Sequence, residues 1–129
     1  MLSDDDFRNQ FEDHSLPDSN FDHIGHLRIS WLYLQDFDVT EATNKVCMGI
    51  KGYAESLGAK DKFHHTLTEH TVKLIANRLN SQPTISFGEF LEANQDLVNN
   101  LKGIISQRYS DELLASPEAR QTYCEPDLI

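Results

Sequence analysis

Apolar side chains recur at three- and four-residue spacing through almost the whole chain, and no segment alternates apolar and polar residues at period two. Such a pattern builds amphipathic helices and leaves no sheet to form. Helix-start signals punctuate it. Asp18 or Ser19 can cap a helix running to about Asp36. Asp38-Val39-Thr40-Glu41 reads as a capping box for a helix over 39–57, with Gly58 suited to the C′ position. A third helix opens at Asp61 or Lys62 and runs to about Leu79. Ser86 with Glu89 opens a fourth, and Ser110 and Ser116-Pro117 start two short terminal segments. The expected fold is all-α, a four-helix-bundle-like single domain with short terminal helices.

The chain has 129 residues, with 21 acidic and 11 basic side chains and a formal charge of −10. That excess is uneven: residues 1–22 hold seven acids and one base. The expected division is an acidic N-terminal arm over 1–17 and a helical domain over 18–129. The arm either stays solvated or docks through Phe7 and Phe11, spaced i and i+4, as a short helix. Ser3 and the acids Asp4, Asp5 and Asp6 suit the start of such a helix.

An acidic chain without a basic cluster excludes a nucleic-acid partner, because phosphate contacts need Lys and Arg. No run of 18 apolar residues exists, so no membrane partner is expected. The first residues lack a basic and apolar leader pattern, and the two distant cysteines, Cys47 and Cys124, read as reduced thiols. The expected location is cytoplasmic. The apolar stripe on the second helix would make a homodimer face if it were exposed.

All six histidines lie between His14 and His70. His23-x-x-His26 places two imidazoles on one side of a helix, and inward side chains of bundle helices build metal sites in this way. His64 falls mid-face on the third helix beside Thr68 and Thr71. His23, His26 and His64 are therefore the candidate site. They would hold one divalent transition metal (zinc, iron, manganese or nickel) or act directly as acid and base. Thr68 would orient His64. Arg28 and Arg120 are candidate clamps for a small anionic substrate, with a surface salt bridge to the acidic arm as the equal alternative for Arg28, and Trp31 and Tyr33 are candidates for substrate contact. Single carboxylates do not complete a dinuclear iron pattern. His65-x-x-x-Glu69 has the spacing of a ligand pair, but the helical phase turns His65, Glu69 and His70 outward. No Gly-rich phosphate loop, nucleophile elbow or Cys-x-x-Cys pair is present.

Three blocks carry a resemblance. They are Phe21-Asp22-His23-Ile24-Gly25-His26-Leu27-Arg28 with Trp31, Tyr33 and Leu34; Lys62-Phe63-His64-His65-Thr66-Leu67-Thr68; and Tyr109-Ser110 to Leu114, Ser116, Ala119-Arg120 and Glu125-Pro126-Asp127-Leu128. Across residues 20–129 the chain resembles a family of small uncharacterised bacterial proteins. The resemblance implies a shared pattern at His23, His26, Arg28, His64, Thr66, Thr68, Arg120 and Asp127, and implies no reaction. Phe63 stands where that pattern has tyrosine. Two functions follow from these residues: a small metal-dependent or histidine acid–base enzyme, or a non-enzymatic helical binding module with a structural polar core and the acidic arm as partner surface.

Overall fold

A computed structural model describes residues 2–128. Among the described residues the order is α1 (Asp4–Glu12), a 3₁₀ turn (Asp18–Asn20), α2 (His23–Asp36), α3 (Val39–Ser56), a second 3₁₀ turn (Lys60–Lys62), α4 (His65–Ser81), α5 (Phe87–Ala93), α6 (Gln95–Ser106), α7 (Asp111–Ala115) and α8 (Pro117–Gln121), with no strand. The fold is an all-α single domain. Helices α2, α3 and α4 pack on one another as its centre; α1 lies across α2 and α3, α5 covers α2, and α8 covers α4.

Most helix starts follow the sequence signals, because a cap is a local hydrogen bond. The side chains of Ser3, Asp38, Ser86, Ser110 and Ser116 each accept the backbone N–H three residues on. Two starts differ from expectation. Asp18 and Ser19 sit in a 3₁₀ turn, and Asp22 caps α2 by accepting the Gly25 N–H at 2.9 Å. The third bundle helix begins at His65 rather than near Asp61, after the second 3₁₀ turn has used Lys60–Lys62. His64 is thereby the N-cap of α4 and lies outside the helical face it was expected to centre. The fourth helix is divided: Asn94 leaves helical geometry, its Nδ2 donating to the Phe90 carbonyl and its Oδ1 accepting from Arg78.

The acidic arm is docked. Phe7 and Phe11 are 2 % and 0 % exposed and belong to the same core cluster as Leu27, Ile29, Val46, Ile50, Val72 and Ile75. A charge-rich helix is held by two buried rings because roughly 1.5–3 kcal/mol accompanies full burial of each large apolar side chain. Gly49 admits the arm. A Cβ at Gly49 would stand 2.6 Å from Phe11 Cε2, so only glycine lets the ring sit against α3. Of the α3 stripe, Ala42, Val46, Ile50 and Tyr53 are buried in this core, while Val39 and Leu57 at its two ends are exposed. Among the described residues no helix is long and apolar enough to cross a membrane.

The chain end is stitched back onto the domain. Asp127 accepts from the Ser110 N–H and hydroxyl, the Tyr109 hydroxyl donates to the Cys124 carbonyl, and Thr66 bridges the Thr122 carbonyl and the Cys124 N–H.

Candidate functional site

The start of α2 and the segment leading into α4 form two walls of a cleft of about 420 Å³. Phe21, Asp22, His23, His26, Leu27 and Ser30 come from the first wall; Lys62, Phe63, His64, Leu67, Thr68 and Thr71 come from the second, and the Asp22 carboxylate is held by the Gly25 N–H. Ile50 and Leu101 complete an apolar lining that carries a few convergent polar groups, the composition of a small-molecule site. The three histidines singled out by sequence therefore do meet on one cleft.

Their ring nitrogens are not equivalent. His64 Nδ1 accepts the Leu67 N–H at 3.2 Å, and its Nε2–H donates to the Leu114 carbonyl at 2.7 Å. That imidazole has both nitrogens occupied and ties the start of α4 to α7. His23 Nε2–H donates to the Leu97 carbonyl at 2.9 Å, which leaves Nδ1 as its free nitrogen. His26 Nδ1–H donates to the Asp22 carbonyl at 2.9 Å, and its ring lies against Phe21 with centroids 4.2 Å apart. Among the described residues nothing bonds His26 Nε2, which is therefore an unprotonated acceptor. Burial holds the His26 pKa below its ordinary value; His23 acts in the same direction, while the bond to Asp22 and the Asp22 charge oppose it.

This geometry does not make a three-histidine metal centre. A metal at bonds of about 2.0–2.1 Å needs a free lone pair from each imidazole. His64 has none, and the three rings do not gather into a ligand group among the described residues. Thr68 also differs from expectation: its hydroxyl donates to the His64 backbone carbonyl at 2.8 Å and supports the turn rather than the ring.

The expected anion clamps and substrate contacts lie elsewhere. Arg28 Nη2 donates to the Leu2 carbonyl and to Asp4 Oδ1, each at 2.8 Å, and its guanidinium covers the Phe7 ring at 4.6 Å. Arg28 thus anchors α1. Tyr33 is buried beneath Arg8, with its hydroxyl donating to Glu12, and Trp31 is buried with Nε1 donating to Thr84 Oγ1 at 3.2 Å. Both are part of the packing around α2. Arg120 is exposed; it donates to the Asp61 carbonyl at 3.1 Å and borders a separate surface hollow with Lys51 and Lys60. The cation that lines the cleft is Lys62. Its place in the Lys62-Phe63-His64 run was the available signal.

A second polar group lies on the other side of the same chain segment. Cys47 of α3 and His65 and Glu69 of α4 bring one ligand atom each to within 4.8 Å of one another, a possible metal-binding group. His65 Nε2 is 3.0 Å from Glu69 Oε1, and Lys73 Nζ is 3.0 Å from Glu69 Oε2. Burial, reinforced by the Glu69 charge, pushes the Cys47 thiol up to about 12. His65 and Glu69 are thus half-buried between α3 and α4 rather than turned outward. His70 is likewise buried, edge-on to Tyr109 at 5.1 Å, with neither ring nitrogen bonded.

Fold and cleft together define an all-helical domain with a histidine-lined cleft. Comparison with known protein families, curated protein sequences and solved structures finds no match to this chain.

Proposed function

We propose that this protein binds a small anionic molecule with an apolar body in the histidine-lined cleft, and that His26 is the group that exchanges a proton with it. The observation that carries this reading is the unbonded Nε2 of His26 on a cleft lined by Lys62 and by Leu27, Phe63, Leu67 and Leu101. Lys62 supplies the charge that an anionic group needs, and the apolar side chains cover the remainder. A neutral imidazole with one nitrogen held by a carbonyl and the other free is arranged as a general base or a hydrogen-bond acceptor. If the ligand is turned over, His26 takes the proton. If it is only held, His26 accepts its donor.

The bonds of His23 and His64 favour a structural polar core for those two residues, the binding-module reading. Each imidazole joins an early segment to a backbone carbonyl of the C-terminal half. If a divalent transition metal belongs to this protein, its donors are Cys47, His65 and Glu69 rather than the cleft histidines.

The test is ligand titration followed by backbone and histidine NMR, using benzoate, hexanoate and inorganic phosphate. Benzoate or hexanoate is expected to shift the signals of His26, Lys62 and Leu67 saturably, and phosphate alone to shift them weakly. His26→Gln and Lys62→Met are each expected to weaken binding by about tenfold, the scale of one lost charged or polar contact. Equal binding in wild type and both variants, or no saturable shift at these residues with any of the three probes, would overturn the reading.

A further inference from the structure

Among the described residues, Cys47, His65 and Glu69 come together as a ligand set. They combine a thiol, an imidazole and a carboxylate from two packed helices, and His65 and Glu69 share one face of α4 at i and i+4. Ligand atoms around one tetrahedral zinc, at bonds of about 2.0–2.3 Å, stand roughly 3.3–3.8 Å apart. The present separations, all within 4.8 Å, need closing by about one ångström at most to reach that range.

The surroundings have two features that packing does not explain. Thr43 lies one turn before Cys47 on the same face of α3 and is 5 % exposed, yet its hydroxyl has no hydrogen-bond partner. A buried hydroxyl without a partner is unfavourable by about 1–3 kcal/mol. Thr43 borders a hollow of about 150 Å³ that Glu69 and Lys73 also line, large enough for a water molecule. The second feature is Lys73. Its ammonium sits on Glu69 Oε2 and also over the Tyr123 ring, 3.8 Å from the centroid. A cation is therefore already drawn to the carboxylate, and Tyr123 gives that ammonium a place to remain when another cation takes Glu69.

We propose that Cys47, His65 and Glu69 form a zinc-type site for one divalent transition metal, with its fourth position open to a water that Thr43 receives. The donor types fit zinc or cobalt and do not fit magnesium or calcium, which take oxygen ligands. On binding, the Cys47 S–H bond breaks and its proton leaves to solvent. The proton on His65 Nε2 is exchanged for one on Nδ1, so the imidazole stays neutral. Glu69 Oε1 turns from His65 to the metal, and Oε2 stays near Lys73. No electron is transferred. Three protein ligands and one open position make a site able to activate water or hold a small anion, not a closed structural one. The site is separate from the cleft, although Phe63 touches both: it lines the cleft and stands edge-on to His65 at 5.9 Å.

The test is cobalt(II) titration of untagged protein carrying Cys124→Ser, so that Cys47 is its one thiol. The expected result is one cobalt per chain, with a near-ultraviolet thiolate charge-transfer band and the visible bands of tetrahedral cobalt. Cys47→Ser is expected to abolish the charge-transfer band. His65→Ala and Glu69→Gln, both on the half-exposed side of the group, are expected to weaken cobalt binding about tenfold or more while the helical circular dichroism is retained. Lys73→Met is expected to tighten it about two- to fivefold by freeing Glu69. Absence of stoichiometric cobalt, or cobalt bound with no thiolate band, would overturn the proposal. Loss of binding in His23→Ala and His26→Ala with retention in His65→Ala and Glu69→Gln would do the same.

Discussion

The cleft and the Cys47 group are neighbours built on opposite principles. In the cleft, the imidazoles of His23, His26 and His64 each donate to a backbone carbonyl, of Leu97, Asp22 and Leu114, rather than to a shared point. In the Cys47 group, His65 and Glu69 bond to each other and crowd a thiol. The first region has more histidines, but among the described residues their donor atoms do not gather into one ligand group. The second has one histidine and a donor set turned inward on itself. Counting ligand-type residues around a cavity is therefore a poor guide to metal binding; what decides is whether their donor atoms converge on one point.

The largest expected break in this comparison is between two adjacent histidines. His64→Ala removes the α4 cap and strands the Leu114 carbonyl, and is expected to destabilise the fold by about 2–4 kcal/mol. His65→Ala removes only a half-exposed pairing and is expected to lower stability by about 1 kcal/mol or less. Urea unfolding of the two variants measures the difference directly. Equal losses would mean that His64 is not the strap between α4 and α7.

A smaller effect separates His26 from its neighbours by pH. The His26 pKa is lowered on folding, chiefly by burial, with His23 adding to it and Asp22 opposing. The unfolded chain therefore binds more protons below about pH 6.5, the ordinary histidine value. The His26 contribution is complete above that pH and is lost as pH falls toward the depressed folded value. His26→Gln is expected to flatten the loss of stability between about pH 7 and 5, read from thermal unfolding across that range. An unchanged slope would show that His26 is not buried as a neutral base.

The smallest effect, and one of opposite sign, belongs to His70. Both of its ring nitrogens are buried without partners beside Tyr109. His70→Phe keeps the ring contact and removes the unbonded polar atoms, and is expected to raise stability by about 1 kcal/mol. A loss of stability on calorimetry would show that His70 has a hydrogen-bonding role.

The sequence was legible where structure is local. Asp38, Ser86, Ser110 and Ser116-Pro117 announce their helices because a side chain caps its own backbone. The docking of Phe7 and Phe11 was one of two open readings, since their spacing fits a buried face but says nothing about a partner. His64 was misplaced because an imidazole cap has no sequence signature and the turn at Lys60–Lys62 mimics a helix start. The outward assignment of His65, Glu69 and His70 failed for a longer-range reason. Helix α4 packs against α2, α3 and α8, so more than one face is covered, and one hydrophobic stripe cannot report that. Arg28 has two open readings in the sequence, an anion clamp or a salt bridge with the acidic arm, and its pairing with Asp4 and Phe7 is the second. Cys47 reads in the sequence as a reduced thiol, because its neighbours His65 and Glu69 come from another helix and no closely spaced cysteine marks it as a ligand.

Histidine side-chain ¹⁵N NMR of the untagged protein, before and after one equivalent of zinc, tests the central claim most directly. The account predicts Nε2–H tautomers for His23 and His64 and an Nδ1–H tautomer for His26, all unchanged by zinc, with the His65 resonances alone moving to coordinated positions. Zinc-dependent shifts at His23, His26 and His64, with His65 unmoved, would contradict it.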